Sequence, residues 1–275
     1  MNAPHDSQLG KSAVYPDRYD PGLLFPIPRA TQRAMIGIDS RIALPFHGVD
    51  IWNAYELSWL DASGKPHVAL AEFRVPATTP NIVESKSFKL YLAGYHQERI
   101  VDGEEMKARL ARDLSAATGG NVEVTLTMPA RFAGVDIKEL EGESIDGLPI
   151  AIHHYGPPDA SLLASAEGDA DESLVSHLLK SNCPVTGQPD WASVQIRYSG
   201  RRIDREGLLR YLVSFRRHAD FHEHCVERIY MDLMRRCAPR RLSVYARYTR
   251  RGGLDINPWR GSEPDRPSNA RAARQ

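Results

Sequence analysis

The chain predicts an α+β fold with antiparallel sheets. Strand-like alternation of apolar and polar residues recurs at 51–60, 67–75, 122–128, 191–198 and 242–248. Helix-forming stretches come in pairs between these segments. No Gly-x-Gly-x-x-Gly follows a strand, so a doubly wound dinucleotide fold has no support. The 275 residues are 42% hydrophobic and 25% charged, which suits a globular protein of about two domains. No run approaches the ~18 apolar residues of a membrane span.

The elements follow in order. Residues 1–45 are rich in Pro, Asp and Arg without a sustained period and read as an extended arm. Met1–Asp6 lacks the basic cluster and apolar stretch of a signal peptide. The segments 51–60 and 67–75 flank Ser63-Gly64-Lys65-Pro66, which is turn chemistry, so they form a hairpin. A short helix is predicted over 87–92. A longer one over 104–118 ends at the capping signal Gly119-Gly120.

Residues 133–172 are acidic and loop-like, with Pro157-Pro158 and 168–171 marking an irregular connection. A helical stretch is expected over 172–180. Two helices, 205–217 and 221–237, then separate the last two strands. The two halves read as a loose duplication. The organisation expected is an arm at 1–45, a first unit at 46–135, an acidic connection at 136–180, a second unit at 181–260 and a tail at 261–275. The tail is left open between a disordered end and an interface strap.

Net charge is zero, but its distribution is uneven. From Ile196 onward there are nineteen arginines, no lysine and nine acids, a balance of +10 that leaves −10 elsewhere. A basic half suits an anionic partner, either a phosphate-bearing small ligand or a nucleic acid. It equally suits attraction between halves. Three cysteines without a Cys-x-x-Cys pair do not make a disulfide scaffold, and a reducing cytoplasm is expected.

Several residue groups could carry chemistry. Cys183, at a junction before Pro184, is a candidate nucleophile or an inert small hydrophobe. Asp190, seven residues on, could return over the thiol as a proton donor, or simply occupy a strand edge. Cys225 and Cys237 sit on the amphipathic helix and read as core. His222, Glu223 and His224 could recognise a heterocycle, since a carboxylate accepts two hydrogens from an aminopyrimidine edge. His222 and His224 are two apart and share no helix face, which counts against zinc. Glu84-Ser85-Lys86-Ser87-Phe88-Lys89 suits a polar ring or an anion, or is only a capped helix start. Arg250-Arg251-Gly252-Gly253 suits phosphate contact, or is an exposed turn.

Together these pieces resemble a known family. Glu84 to Tyr91 matches, position by position, the signature of the NADPH-dependent nitrile reductases that act on 7-cyano-7-deazaguanine. Leu44-Pro45-Phe46-His47-Gly48, 178–183, Gln188-Pro189-Asp190-Trp191, Phe221-His222-Glu223 and 244–260 resemble its long, single-chain branch. The resemblance spans about residues 10 to 260, and no motif position departs from it.

The resemblance implies two tandem tunnelling-fold (T-fold) units in a homodimer, with a role in making queuosine, a modified tRNA nucleoside. The substrate is a free base, so no nucleic acid need be bound, and no membrane is involved. It implies Cys183 as the nucleophile that forms a thioimide and Asp190 as the proton donor. Glu84, Ser85, Lys86, His222 and Glu223 match substrate-contacting positions. Lys86, Ser87, Arg251 and Gly252 match positions that contact NADPH. No resident metal is implied. Two rival readings remain: a zinc cyclohydrolase-like enzyme of the same fold using Cys183 with His222 or His224, and a non-catalytic module binding a purine, pterin or RNA.

Overall fold

A computed structural model describes residues 16, 18–39 and 41–275. Met1–Asp6, where a signal peptide was sought, lies outside the described residues. The chain divides into two compact units. The first holds Val49–Asp136 and Arg250–Ile256 with the described residues up to Thr31. The second holds Gln32–Gly48, Ile137–Thr249 and Asn257–Gln275.

In the first unit, strands β2 (His47–Leu60), β3 (Pro66–Pro76) and β5 (Glu123–Thr127) are antiparallel in the order β5-β3-β2. β1 (Pro26–Pro28) and β4 (Asn81–Val83) form a separate antiparallel pair. The hairpin at 63–66 is as expected. The sheet presents Trp52, Leu57, Trp59 and Phe73 to helices α2 (Ser85–Ala93) and α3 (Gly103–Thr118). From α3 come Met106, Leu110 and Leu114, four apart and therefore on one face. Asp102 caps that helix by accepting from Glu105 N at 2.9 Å, and it closes at Gly119 as predicted.

The second unit pairs β6 (Glu143–Ser144) parallel to β7 (Ser165–Asn182). From there β7, β8 (Pro189–Ile203), β9 (Arg241–Tyr248) and β10 (Leu254–Gly261) are antiparallel neighbours in that order. The start of β10 belongs to the first unit. Helices α4 (Arg205–Ser214) and α5 (His222–Cys237) bury Leu208, Leu212, Val226, Ile229 and Leu233. Each such side chain contributes roughly 1.5–3 kcal/mol when fully removed from water. Cys225 and Cys237 are buried there, as expected. The architecture is thus α+β, with antiparallel strands joined by paired helices and one short parallel pair.

Four expectations are corrected. Residues 172–180 are strand, not helix: they lie inside β7. The register slips between Ser176 and Leu179, so Leu174, Val175 and Leu179 are buried while Leu178 is 43% exposed. A bulge inserts one residue and shifts the alternation. The result imitates helical spacing. Second, 168–171 belongs to the same strand rather than to a connection. Gly168, at φ +82°, takes the left-handed conformation of another register shift between Ser165 and Asp169.

Third, the stretch read as an extended arm contains α1 (Arg29–Met35). Fourth, β10 has no counterpart in the sequence reading. The tail is ordered against its own unit: Gln275 is buried and its side chain bonds Arg247. Among the described residues no helix is long and apolar enough to cross a membrane.

Candidate active site

Cys183 opens the connection between β7 and β8. Its N–H donates to Gln188 O at 2.8 Å, and its carbonyl accepts from Gly187 N at 3.0 Å. These bonds close the turn without using the thiol. Ser181 and Asp190 face each other in the ladder just behind it. Antiparallel pairing therefore brings Asp190 back toward the cysteine, as the seven-residue spacing suggested. Cys183 is 3% exposed and Asp190 6%.

A second segment braces this hairpin. Asn182 N donates to His218 O at 2.8 Å, and Asp220 N donates to Asn182 O at 3.1 Å. The residues before α5 are thereby stitched to the residue preceding Cys183. Asp220 accepts from Phe221 N at 2.8 Å and lies 3.2 Å from His224 Nδ1 and 3.6 Å from His218 Nε2. Burial alone would raise the Asp220 carboxyl; the nearby His218 ring and the hydrogen bonds from His224 and Phe221 N outweigh it and hold it well below the usual carboxylate range.

α5 then starts at His222. Its Nε2 approaches Asp190 Oδ2 at 3.4 Å, and its ring stacks on Tyr248 with centroids 3.7 Å apart and planes at 3°. Glu223 is buried in the first turn, where the helix dipole favours a carboxylate. His222 turns to Asp190, His224 to Asp220, and Cys225 to Ser181 and Tyr248. Burial pushes the Cys225 thiol and the Tyr248 phenol well above their ordinary values, so both stay neutral. Among the described residues, no three His, Cys, Asp or Glu side chains converge as ligands of a metal ion would.

The other predicted cluster belongs to the first unit. Glu84 is fully buried and caps α2 with both carboxylate oxygens. One accepts from Lys86 N at 2.7 Å, the other from Ser87 N at 2.8 Å. Burial raises the Glu84 carboxyl, while the two N–H groups and the Lys89 charge oppose the rise. Ser85 Oγ is 3.4 Å from the same carboxylate. Ser87 uses its hydroxyl inside the fold, donating to Glu84 O at 2.7 Å and accepting from Phe25 N at 3.0 Å. The capped-helix reading of this motif is therefore observed, and the cap fixes the first turn that carries Ser85 and Lys86.

Arg251 and Gly252 sit in the turn before β10. Arg251 N donates to Leu254 O at 2.8 Å, and the Arg250 guanidinium lies 5.5 Å above the Tyr55 ring. Gly252 has φ +59°, and a Cβ there would fall 3.2 Å from Lys89 Nζ. Only glycine fits this conformation without strain, and the lysine lies directly across it. Lys89 thus links the Glu84 carboxylate to the glycine turn within one unit. From the sequence, Lys89 suits an anion or polar ring only as part of the motif, without a link to the glycine turn. The sequence reading missed Asp220 and Tyr248, which carry no local signal.

Comparison with known proteins gives consistent findings. A family model described as nitrile reductase, 7-cyano-7-deazaguanine-reductase N-term, matches residues 15–126, and one described as QueF-like protein matches 189–266. A Bordetella pertussis protein named NADPH-dependent 7-cyano-7-deazaguanine reductase is 58% identical over 275 residues, covering 100% of this chain and 98% of that protein. Relatives of the same name come from Burkholderia multivorans, 59% identical with both chains fully covered, and Chromobacterium violaceum, 58% identical with 99% and 98% covered. With both family models matched in order and full-length relatives at this identity, the chain belongs to the NADPH-dependent 7-cyano-7-deazaguanine reductase family.

Proposed function

We propose that the chain reduces the nitrile of 7-cyano-7-deazaguanine to the aminomethyl group through a thioimide on Cys183, in the route to queuosine. The observation that carries this reading is the hairpin that pairs Asp190 with Ser181, two residues before Cys183, with His222 3.4 Å from the Asp190 carboxylate. Family membership supplies the substrate and cofactor; the hairpin supplies a nucleophile and an acid.

The Cys183 sulfur adds to the nitrile carbon. One C–N π bond breaks and its electron pair moves to nitrogen; Asp190 delivers a proton there, and the resulting carboxylate takes the proton that the thiol gives up. Addition splits one difficult step into easier ones. After the first reduction the C–S bond breaks, Cys183 leaves as thiolate and an imine remains. A second reduction and proton give the amine. Both intermediates hydrolyse in water, and the low exposure of Cys183 and Asp190 protects them. Glu223 accepts from the amino-pyrimidine edge of the base, with His222 as its neighbour. Glu84, Ser85 and Lys86 are further substrate-contacting residues of this reading.

The turn at Gly252 fits a phosphate-bearing cofactor. Its backbone is open where a Cβ would otherwise stand, Lys89 lies across it, and Arg250 and Arg251 flank it. Lys86, Arg251 and Gly252 would hold NADPH there, with Ser87 acting through its grip on the α2 turn. Bound NADPH supplies one hydride for each of the two reductions.

Two tandem T-fold units in a cytoplasmic homodimer complete the reading. The antiparallel strands with paired helices in each unit support the T-fold part of it, and family membership suggests the rest. The test mixes the protein with 7-cyano-7-deazaguanine and NADPH and follows cofactor absorbance with product mass. Two NADPH consumed per amine formed is expected. Ligand binding without consumption would leave a binding module instead.

A further inference from the structure

An imidazole that works beside an acid needs its ring plane held, usually by a hydrogen bond on its second nitrogen. His222 lacks that device. Its Nε2 faces Asp190, and its Nδ1 is buried with no hydrogen-bond partner among the described residues. What holds the plane is the face of Tyr248, 3.7 Å away and tilted by only 3°.

Tyr248 is itself held by its backbone rather than its hydroxyl. The hydroxyl is buried beside Ser181 Oγ and the Cys225 thiol, yet among the described residues neither hydroxyl makes a hydrogen bond of ordinary geometry. By contrast, Tyr248 N donates to Asn257 Oδ1 at 3.1 Å, and Tyr248 O accepts from Gln275 Nε2 at 2.9 Å. The same Gln275 Nε2 donates to Asn257 Oδ1 at 2.8 Å, joining the two clamps. Gln275 Oε1 is gripped in turn by Arg247, at 2.9 Å from Nε and 2.7 Å from Nη2, and by Ala272 N at 3.0 Å. Side chains alternate along a strand. β9 therefore carries this polar network at Arg247 and the aromatic stack at the next residue.

We propose that Tyr248 is a positioning residue for the Asp190–His222 pair, and that Gln275 and Asn257 lock it from behind. Its ring sets the plane in which His222 meets Asp190. This rests on the nitrile-reductase reading above. The hydroxyl is incidental, so a phenyl ring suffices. The Gln275 amide matters for its donor to the Tyr248 carbonyl, and not only as the acceptor for Arg247.

The test compares the full chain with Tyr248→Phe, Tyr248→Leu and Gln275→Glu. It measures kcat, KM for the nitrile, and the rate of adduct formation on Cys183 by mass in the absence of NADPH. Tyr248→Phe should stay within about twofold of the parent in all three. Tyr248→Leu should lower kcat and the adduct rate by ~10–100-fold, the range for misplaced catalytic groups, with KM within about threefold. Gln275→Glu keeps an acceptor for Arg247 but has no donor for Tyr248 O, and should fall in the same direction.

Parental rates in Tyr248→Leu, a loss in Tyr248→Phe equal to that in Tyr248→Leu, or losses confined to KM would overturn the proposal. If Tyr248→Leu does not fold, Tyr248→Phe against Gln275→Glu decides: parental rates in Gln275→Glu overturn it. An unmodified chain that neither turns over nor forms the adduct would overturn the nitrile-reductase reading first, and this proposal with it.

Discussion

Asp220 Oδ1 and His224 Nδ1 meet 3.2 Å apart across one turn at the start of α5, both side chains buried. With His218 and Phe221 N they hold the Asp220 carboxyl below its ordinary value despite burial. An acid depressed by folding adds stability above its unfolded pKa of ~3.9, and that stability is lost as pH falls through the folded value. Asp220→Asn should therefore cost about 2 kcal/mol at neutral pH, as expected for hydrogen bonds to a buried charge. The difference from the parent should shrink steadily as pH is lowered through the carboxylate range. Urea unfolding at a series of pH values checks it; a pH-independent difference would count against it.

Cys183→Ala should leave the fold intact, because the turn is closed by the residue's N–H and carbonyl rather than by its thiol. Turnover should drop below about a thousandth, as for removal of a covalent nucleophile, and the substrate adduct should vanish from the mass spectrum. Calorimetric binding of the nitrile should persist. An adduct in this variant would move the nucleophile elsewhere.

Asp190→Asn keeps the shape of a side chain that is 6% exposed and removes its proton. We expect kcat to fall by ~10²–10⁴-fold, the usual contribution of a positioned acid, with substrate affinity nearly unchanged. Equal losses in rate and affinity would remove the proton-donor role.

Glu227 is the shared partner of two buried arginines. It accepts from Arg33 Nη2 at 2.7 Å and from Arg260 Nη2 at 2.9 Å. Glu227→Ala leaves both guanidiniums buried without it, and should destabilise by roughly 3–5 kcal/mol. Denaturant midpoints measure this. A cost below 1 kcal/mol would show that the arginines find other partners.

Gly252→Ala places a methyl against Lys89 in a backbone conformation that L-residues resist, at about 1–2 kcal/mol. The KM for NADPH should rise about tenfold while the KM for the nitrile holds, because a loss of that size in binding free energy corresponds to roughly one order of magnitude. A rise in the nitrile KM alone would detach this turn from the cofactor.

Much of this was legible locally. The helix at α3 was visible because one-face spacing and its Gly-Gly stop are local signals. The β2–β3 hairpin showed through its turn residues. The bulged strand β7 was misread, because a register slip gives its apolar residues a helical phase. The α2 motif admitted two readings: the helix cap is observed, and it leaves the carboxylate lone pairs enough for the proposed ligand as well.

By itself the sequence determined the β2–β3 hairpin, the helices α2 to α5, the strands β5, β8 and β9, and the motifs that hold Cys183, Asp190, His222 and Glu84. Those depend on periodicity, turn chemistry and motif identity, which neighbours in the chain share. Only the tertiary structure decided that His222 leans on Tyr248, that Gln275 holds Tyr248 from behind, and that Asp220 braces the segment before Cys183. These contacts join residues tens of positions apart through burial and hydrogen-bond geometry, which leave no period in the chain.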